Sequence, residues 1–175
     1  MVSEMTRQLM CSAGLFILLG VGVLHAQDGP VGDSIDSLKG LRPIAVVVED
    51  IPELRNVLSS STLKMAADEK LRQNDVTVES DAGGLKALTP YVSVNVNVFR
   101  TSDGRYFIYN VRVSLRRMGS FYNPDSNSSN LIRAETWSRG SVGITGVSDS
   151  GPIRDTVTDL LDEFVDDYLA ANPKR

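Results

Sequence analysis

Between Tyr91 and Phe99 every second residue is valine: Tyr91-Val92-Ser93-Val94-Asn95-Val96-Asn97-Val98-Phe99. A period of two puts the valines on one side of a strand and the polar residues on the other, whereas a helix would scatter both around its axis. Asp103-Gly104 follows as a turn, and a two-residue hairpin loop centred there sets Ser102 opposite Arg105. That choice fixes every later pair. Val98 faces Tyr109, Val96 faces Val111, Val94 faces Val113 and Val92 faces Leu115, all on one apolar side. On the other side Asn97 faces Asn110, Asn95 faces Arg112, Ser93 faces Ser114 and Tyr91 faces Arg116, with Phe99 and Ile108 apolar near the turn. A slip by one residue would set the valines against Asn110, Arg112 and Ser114, so two independent patterns select the same hairpin.

The remaining elements follow from period and punctuation. Pro43-Ile44-Ala45-Val46-Val47-Val48-Glu49-Asp50-Ile51 is a continuous β-branched run, read as a buried strand that Pro52 stops. Ser59-Ser60-Ser61 supplies N-cap hydroxyls to a helix whose Leu63, Ala66, Ala67 and Leu71 share a face, and Asn74-Asp75 ends it. Val76-Thr77-Val78-Glu79 reads as a short strand, and Ala82-Gly83-Gly84-Leu85 as a connector. From Gly119 to Asn130 the turn formers Asn123-Pro124-Asp125-Ser126-Asn127-Ser128-Ser129 predict a mobile, exposed hairpin connection. Arg133 to Arg139 resumes as a strand, with Gly140, Gly143 and Gly146 marking bends or bulges where it leaves the sheet. The last helix opens at Gly151-Pro152 and closes at Asn172-Pro173. Its stripe, Ile153, Val157, Leu160, Leu161, Phe164, Val165, Tyr168 and Leu169, has the spacing of a helix lying on a sheet. The order β-α-β-β-β-β-α predicts an α+β domain: a mostly antiparallel sheet of four to five strands, both helices on the valine side, the Asn/Arg/Ser side open to water.

The first residues bear on compartment. Arg7 precedes the apolar run Ala13 to Leu24, which falls short of the ~20 residues a bilayer span needs, and Ala26 before a polar turn suits cleavage. Residues 1–26 are read as a signal peptide, 27–40 as a flexible polar linker and 41–175 as a single domain, periplasmic or secreted and with no stable membrane span. Cys11 and His25, the sole Cys and His, both fall in the leader, so the mature domain is expected to lack Cys nucleophiles, His bases and His/Cys metal sites. A net charge of −4 over 175 residues offers no Lys/Arg field for nucleic acid. No cofactor motif is present: Gly140 to Gly146 has neither the spacing of a dinucleotide fingerprint nor a Lys-Ser/Thr pair of a phosphate loop.

Trp137-Ser138-Arg139-Gly140-Ser141-Val142-Gly143, then a helix with Phe164 and Tyr168-Leu169 ending Ala171-Asn172-Pro173, resembles uncharacterised exported bacterial proteins. The element order also resembles the small α+β domains of TolB amino-terminal, curli-secretion and penicillin-binding-protein-activator proteins. That resemblance implies service in periplasmic assemblies and brings no binding residues with it. The site candidate from the residues themselves is the open face of the hairpin: Tyr91, Asn95, Asn97, Asn110, Arg112 and Arg116, a mixture suited to an envelope protein or polar polymer. A wet polar face is also an ordinary property of antiparallel sheets. Asp155, Asp159, Asp162 and Asp166 form an acidic stripe on the last helix, read as solvated surface, and Trp137 is read as core packing. The function expected is a non-catalytic binding or accessory module. The alternatives are a hydrolase, which would need two carboxylates converging at about 5–9.5 Å, and a homo-oligomer joined through strand edges.

Overall fold

The structure, a computed structural model, describes residues 34–54, 57–79 and 88–173. Residues 1–26, read as a signal peptide, and the Ala82 to Leu85 connector lie outside the described residues. Among the described residues four strands form one sheet in chain order: β1 (Ala45–Val48), β2 (Tyr91–Arg100), β3 (Tyr106–Asn123) and β4 (Ser128–Gly146). β1 runs parallel to β2, and the two other pairings are antiparallel. α1 (Ser60–Gln73) joins β1 to β2, and α2 (Gly151–Ala171) ends the domain. The fold is α+β, with the helices on the valine side.

The β2–β3 register is the one that alternation and turn chemistry predict, from Tyr91 opposite Arg116 to Arg100 opposite Phe107. The loop itself is longer than two residues. Thr101 donates its N–H to the Tyr106 carbonyl at 2.9 Å, and Gly104 takes φ +71° with its N–H on the Thr101 carbonyl. A four-residue connection centred on the same bond leaves the register unchanged, because adding one residue to each arm moves no pair.

Val92, Val94, Val96 and Val98 meet Tyr109, Val111, Val113 and Leu115 in a sealed core. α2 covers β3 and β4 with Ile153, Val157, Leu160, Leu161, Phe164, Val165 and Tyr168, all buried. Trp137 meets Phe164 edge to face at 5.1 Å and donates its indole N–H to Asp167 at 2.8 Å. α1 buries Leu63, Ala67 and Leu71 against β1, while Ala66 stays exposed beside α2. The Ser59 hydroxyl accepts the Thr62 N–H at 3.1 Å, the N-cap that the serine run predicts.

Four expectations are corrected. Val76 to Glu79 makes one isolated parallel bridge, Val78 with Ile44, rather than a strand. Gly119 to Asn130 is not a loop: β3 and β4 remain paired up to Asn123 and Ser128, and only residues 124–127 turn. Asn127 adopts φ 46°, which asparagine tolerates, and the Asn123 carbonyl oxygen of the side chain accepts the Asp125 N–H. Gly140, Gly143 and Gly146 stay in register opposite Arg112, Tyr109 and Tyr106, and the bulge sits instead near Leu115/Arg116, where Thr136 is the extra residue. At Gly143 the absent side chain has a packing cause, since a Cβ there would lie 2.3 Å from the Tyr109 ring. Lastly, residues 34–40, read as linker, hold to the domain: Leu38 is buried, Ser37 donates to the Thr136 carbonyl, and Asn172 bonds both Gly40 and Leu38.

Candidate functional site

The face of the sheet turned away from both helices carries all six residues that the alternation singles out. The strands place them in two ranks, Tyr91, Asn95 and Asn97 on β2, with Arg116, Arg112 and Asn110 opposite on β3. Most of these groups are already engaged with one another or with β4. Asn95 donates to the Glu49 carboxylate and accepts from Asn97. Arg112 reaches across β3 to β4 and forms an ion pair with Glu135, while its guanidinium also donates to the Ser138 hydroxyl at 3.1 Å. The Arg133 guanidinium lies 5.0 Å from the Tyr91 ring centroid, a cation–π contact. Asn110 and Arg116 make no side-chain hydrogen bond or ion pair among the described residues, which leaves them as the free polar groups of the face.

The Arg112–Glu135 pair organises the middle of this surface. Burial pushes the Glu135 carboxyl up, but the Arg112 hydrogen bond and charge, with bonds from the Ser138 and Ser114 hydroxyls, outweigh it and hold the carboxyl below its ordinary value. Ser93 and Ser114, although they point outward, are sealed at 3 % and 2 % exposure. The middle of the polar half, around Arg112 and Glu135, is therefore a closed network, with the Arg116 guanidinium outside it.

The apolar half is what the hairpin alone could not display in full. Phe99 pairs with Ile108, and Ile108 pairs with Ile144 on β4, so three large apolar side chains lie in one row across three strands. Phe99 is 69 % exposed and Ile144 61 %, and Val142, opposite Asn110, is 70 % exposed. Tyr106 is also exposed at this end of the sheet. Val142 and Ile144 were missed as site residues. Their signal was available in Val142-Gly143-Ile144, whose period matches a strand with Val142 and Ile144 on one side, but the glycines suggested a bend instead.

Elsewhere the chemistry is sparse. The two helices flank a cleft of about 280 Å³ lined by Leu63, Glu69, Lys70, Arg154 and Leu161 among others, in which Glu69 is the lone carboxylate among the described residues. Of the acidic stripe, Asp155, Asp159 and Asp166 are exposed, and Asp162 pairs with Lys70 at 2.5 Å. Among the described residues no three His, Cys, Asp or Glu side chains gather as a metal ion would require, and no helix is long and apolar enough to cross a membrane. Compared with known proteins, the chain matches no protein-family model, and no curated protein matches it in sequence.

Proposed function

We propose that this chain is an exported, non-catalytic accessory module of the cell envelope that holds a protein partner against the outer face of its sheet. The observation that carries the reading is the exposed row Phe99, Ile108 and Ile144 with Val142 beside it, bordered by Asn97, Asn110 and Arg112. An apolar centre with a polar rim has the anatomy of a protein–protein contact, and contiguous exposed apolar side chains on a folded domain mark such contacts. A polar polymer would draw on the amide and guanidinium groups, yet Asn95, Asn97 and Arg112 already spend hydrogen bonds within the face. The leader-like first residues and the resemblance in element order to periplasmic assembly domains support the compartment. The α1–α2 cleft, with one carboxylate, offers no support for hydrolysis by paired acids.

The test is crosslinking in intact envelopes with the wild-type chain and with Ile108→Thr/Ile144→Thr. Both positions face outward and are exposed, and threonine keeps the β-branched shape that suits a strand without setting like charges across this directly paired position, so the variant should lose no more than about 1 kcal/mol. The wild type should give a discrete heterologous adduct that the variant loses. An adduct of equal yield from both proteins would reject this face as the contact.

A further inference from the structure

β4 is the last strand of the sheet, so one side of it meets β3 and the other meets no strand among the described residues. Which peptides face the free side is fixed by parity. Val147 donates its N–H to the Arg105 carbonyl at 3.2 Å, one step past the last strand pair, Tyr106 with Gly146. In an antiparallel ladder, residues that exchange bonds with a neighbour alternate with those that do not. Thr145, Gly143, Ser141 and Arg139 therefore bond β3. Gly146, Ile144, Val142, Gly140 and Ser138 turn their N–H and C=O groups to the free side, where the Gly146 carbonyl is taken by the Asp149 N–H and the Ser138 carbonyl by the Arg139 guanidinium at 3.3 Å.

Sheet proteins guard such edges with proline, charged side chains and bulges. The far part of β4 is guarded, by the bulge at Thr136 and by the exposed Arg133. From Ser138 to Gly146 no guard remains, since Arg139 is drawn onto α2 by Glu163 and Asp167. This unguarded stretch also has an internal symmetry. Gly140-Ser141-Val142-Gly143-Ile144-Thr145-Gly146 reads in the same chemical order from either end: glycine, hydroxyl, branched aliphatic, glycine, branched aliphatic, hydroxyl, glycine. Ser138 and Ser148 continue the match one step beyond Arg139 and Val147.

A strand whose sequence is symmetric about its centre is complementary to its own antiparallel copy. We propose that β4 pairs with β4 of a second copy of this chain, about a two-fold axis at Gly143, joining two four-stranded sheets into one of eight. Val142 then pairs with Ile144 of the second copy, Gly140 with Gly146 and Ser141 with Thr145. The parity agrees: Val142 and Ile144 both offer free peptide groups, so they form bond-exchanging pairs, and Gly143 faces Gly143 at the closely spaced position where no bond is exchanged. Val142 and Ile144, among the most exposed apolar side chains on the sheet, each gain a branched aliphatic neighbour. The contact is isologous and closes on itself, giving a dimer rather than a fibre. It needs no third molecule, so it stands apart from the partner proposed above.

The experiment uses purified protein alone. Sedimentation velocity up to ~100 µM, the range in which weak interfaces become populated, should reveal a two-copy species. Val142→Lys/Ile144→Lys and Val142→Glu/Ile144→Glu set like charges opposite each other, and each should weaken association by at least ~100-fold while circular dichroism is unchanged. An equimolar mixture of the two should restore the two-copy species. Register is read separately in a Cys11→Ser background. Val142→Cys mixed with Ile144→Cys should form an intermolecular disulfide, because bond-exchanging pairs place Cα atoms about 5.5 Å apart, and either variant alone should not. Wild-type protein that remains single at every concentration, pairs that persist in the Lys variant, or a mixture that forms no disulfide would each overturn the proposal.

Discussion

Replacing Gly143 by alanine would test the sheet at its tightest point. A Cβ at this position would lie 2.3 Å from both Cζ and Oη of Tyr109 and 2.9 Å from Cε1. Carbon atoms settle at about 3.5–4.0 Å, so the ring must give way by more than 1 Å, roughly the difference between these separations. Tyr109 has little room to do so, being 6 % exposed with its hydroxyl near the Pro152 carbonyl and the Thr156 hydroxyl at the start of α2. Overpacking of this kind costs about 1–3 kcal/mol. Alanine offsets part of it by restricting the unfolded chain, roughly 0.5–1 kcal/mol. We expect a net loss of about 1–2 kcal/mol in equilibrium urea unfolding, with the slope unchanged. The decisive arm is a double-mutant cycle: in a Tyr109→Val background the same Gly143→Ala change should become neutral or stabilising. An equal penalty in both backgrounds, or none in the wild type, would mean that Tyr109 does not lie over Gly143 and that the β3–β4 register is wrong.

Three further outcomes are expected. Arg112→Ala should raise the Glu135 pKa in an NMR titration, since the guanidinium that opposes burial is gone. A carboxyl with a depressed folded pKa contributes stability above its unfolded pKa and loses it as pH falls through the folded value; wild type should therefore lose more stability than Arg112→Ala on acidification, and parallel pH profiles would refute the pairing. Ser59→Ala should cost about 1 kcal/mol in urea unfolding, and Ser59→Gly only a few tenths, if the hydroxyl caps α1 as its 3.1 Å bond to Thr62 indicates. Trp137→Phe should cost about 1–3 kcal/mol by leaving the buried contact with Asp167 unmade, a loss measurable by thermal melting.

The parts of the fold legible in the sequence are those where two local signals coincide. The hairpin was legible because valine alternation and the Asp103-Gly104 turn select one register, and α2 because an apolar stripe runs between Pro152 and Pro173. What stayed hidden depends on contacts remote in sequence. The parallel pairing of β1 with β2 joins segments 46 residues apart, Ala45 with Tyr91, and leaves no periodic mark. The glycines of β4 looked like bends because nothing in the chain says that Tyr109 will occupy the space over Gly143. The ribbon around residues 119–130 reads as a loop because its turn formers outnumber Phe121, Tyr122, Leu131 and Ile132, which stand in adjacent pairs on either side of residues 124–127 and show no period of two. The same gap concealed half of the candidate surface. Without the β3–β4 register, Ile144 could not be set beside Ile108, nor Glu135 beside Arg112, across a bulge that shifts β4 by one residue.

The two sides of one hairpin have different roles in this reading, core on one and contact on the other. A photoreactive side chain placed in turn at residues 107 to 112 of β3, with irradiation in intact envelopes, tests this most directly. Heterologous adducts of period two are expected, strong at Ile108, Asn110 and Arg112 and absent at Phe107, Tyr109 and Val111, whose side chains are buried. Adducts at adjacent positions alike, or only at the inward set, would contradict it.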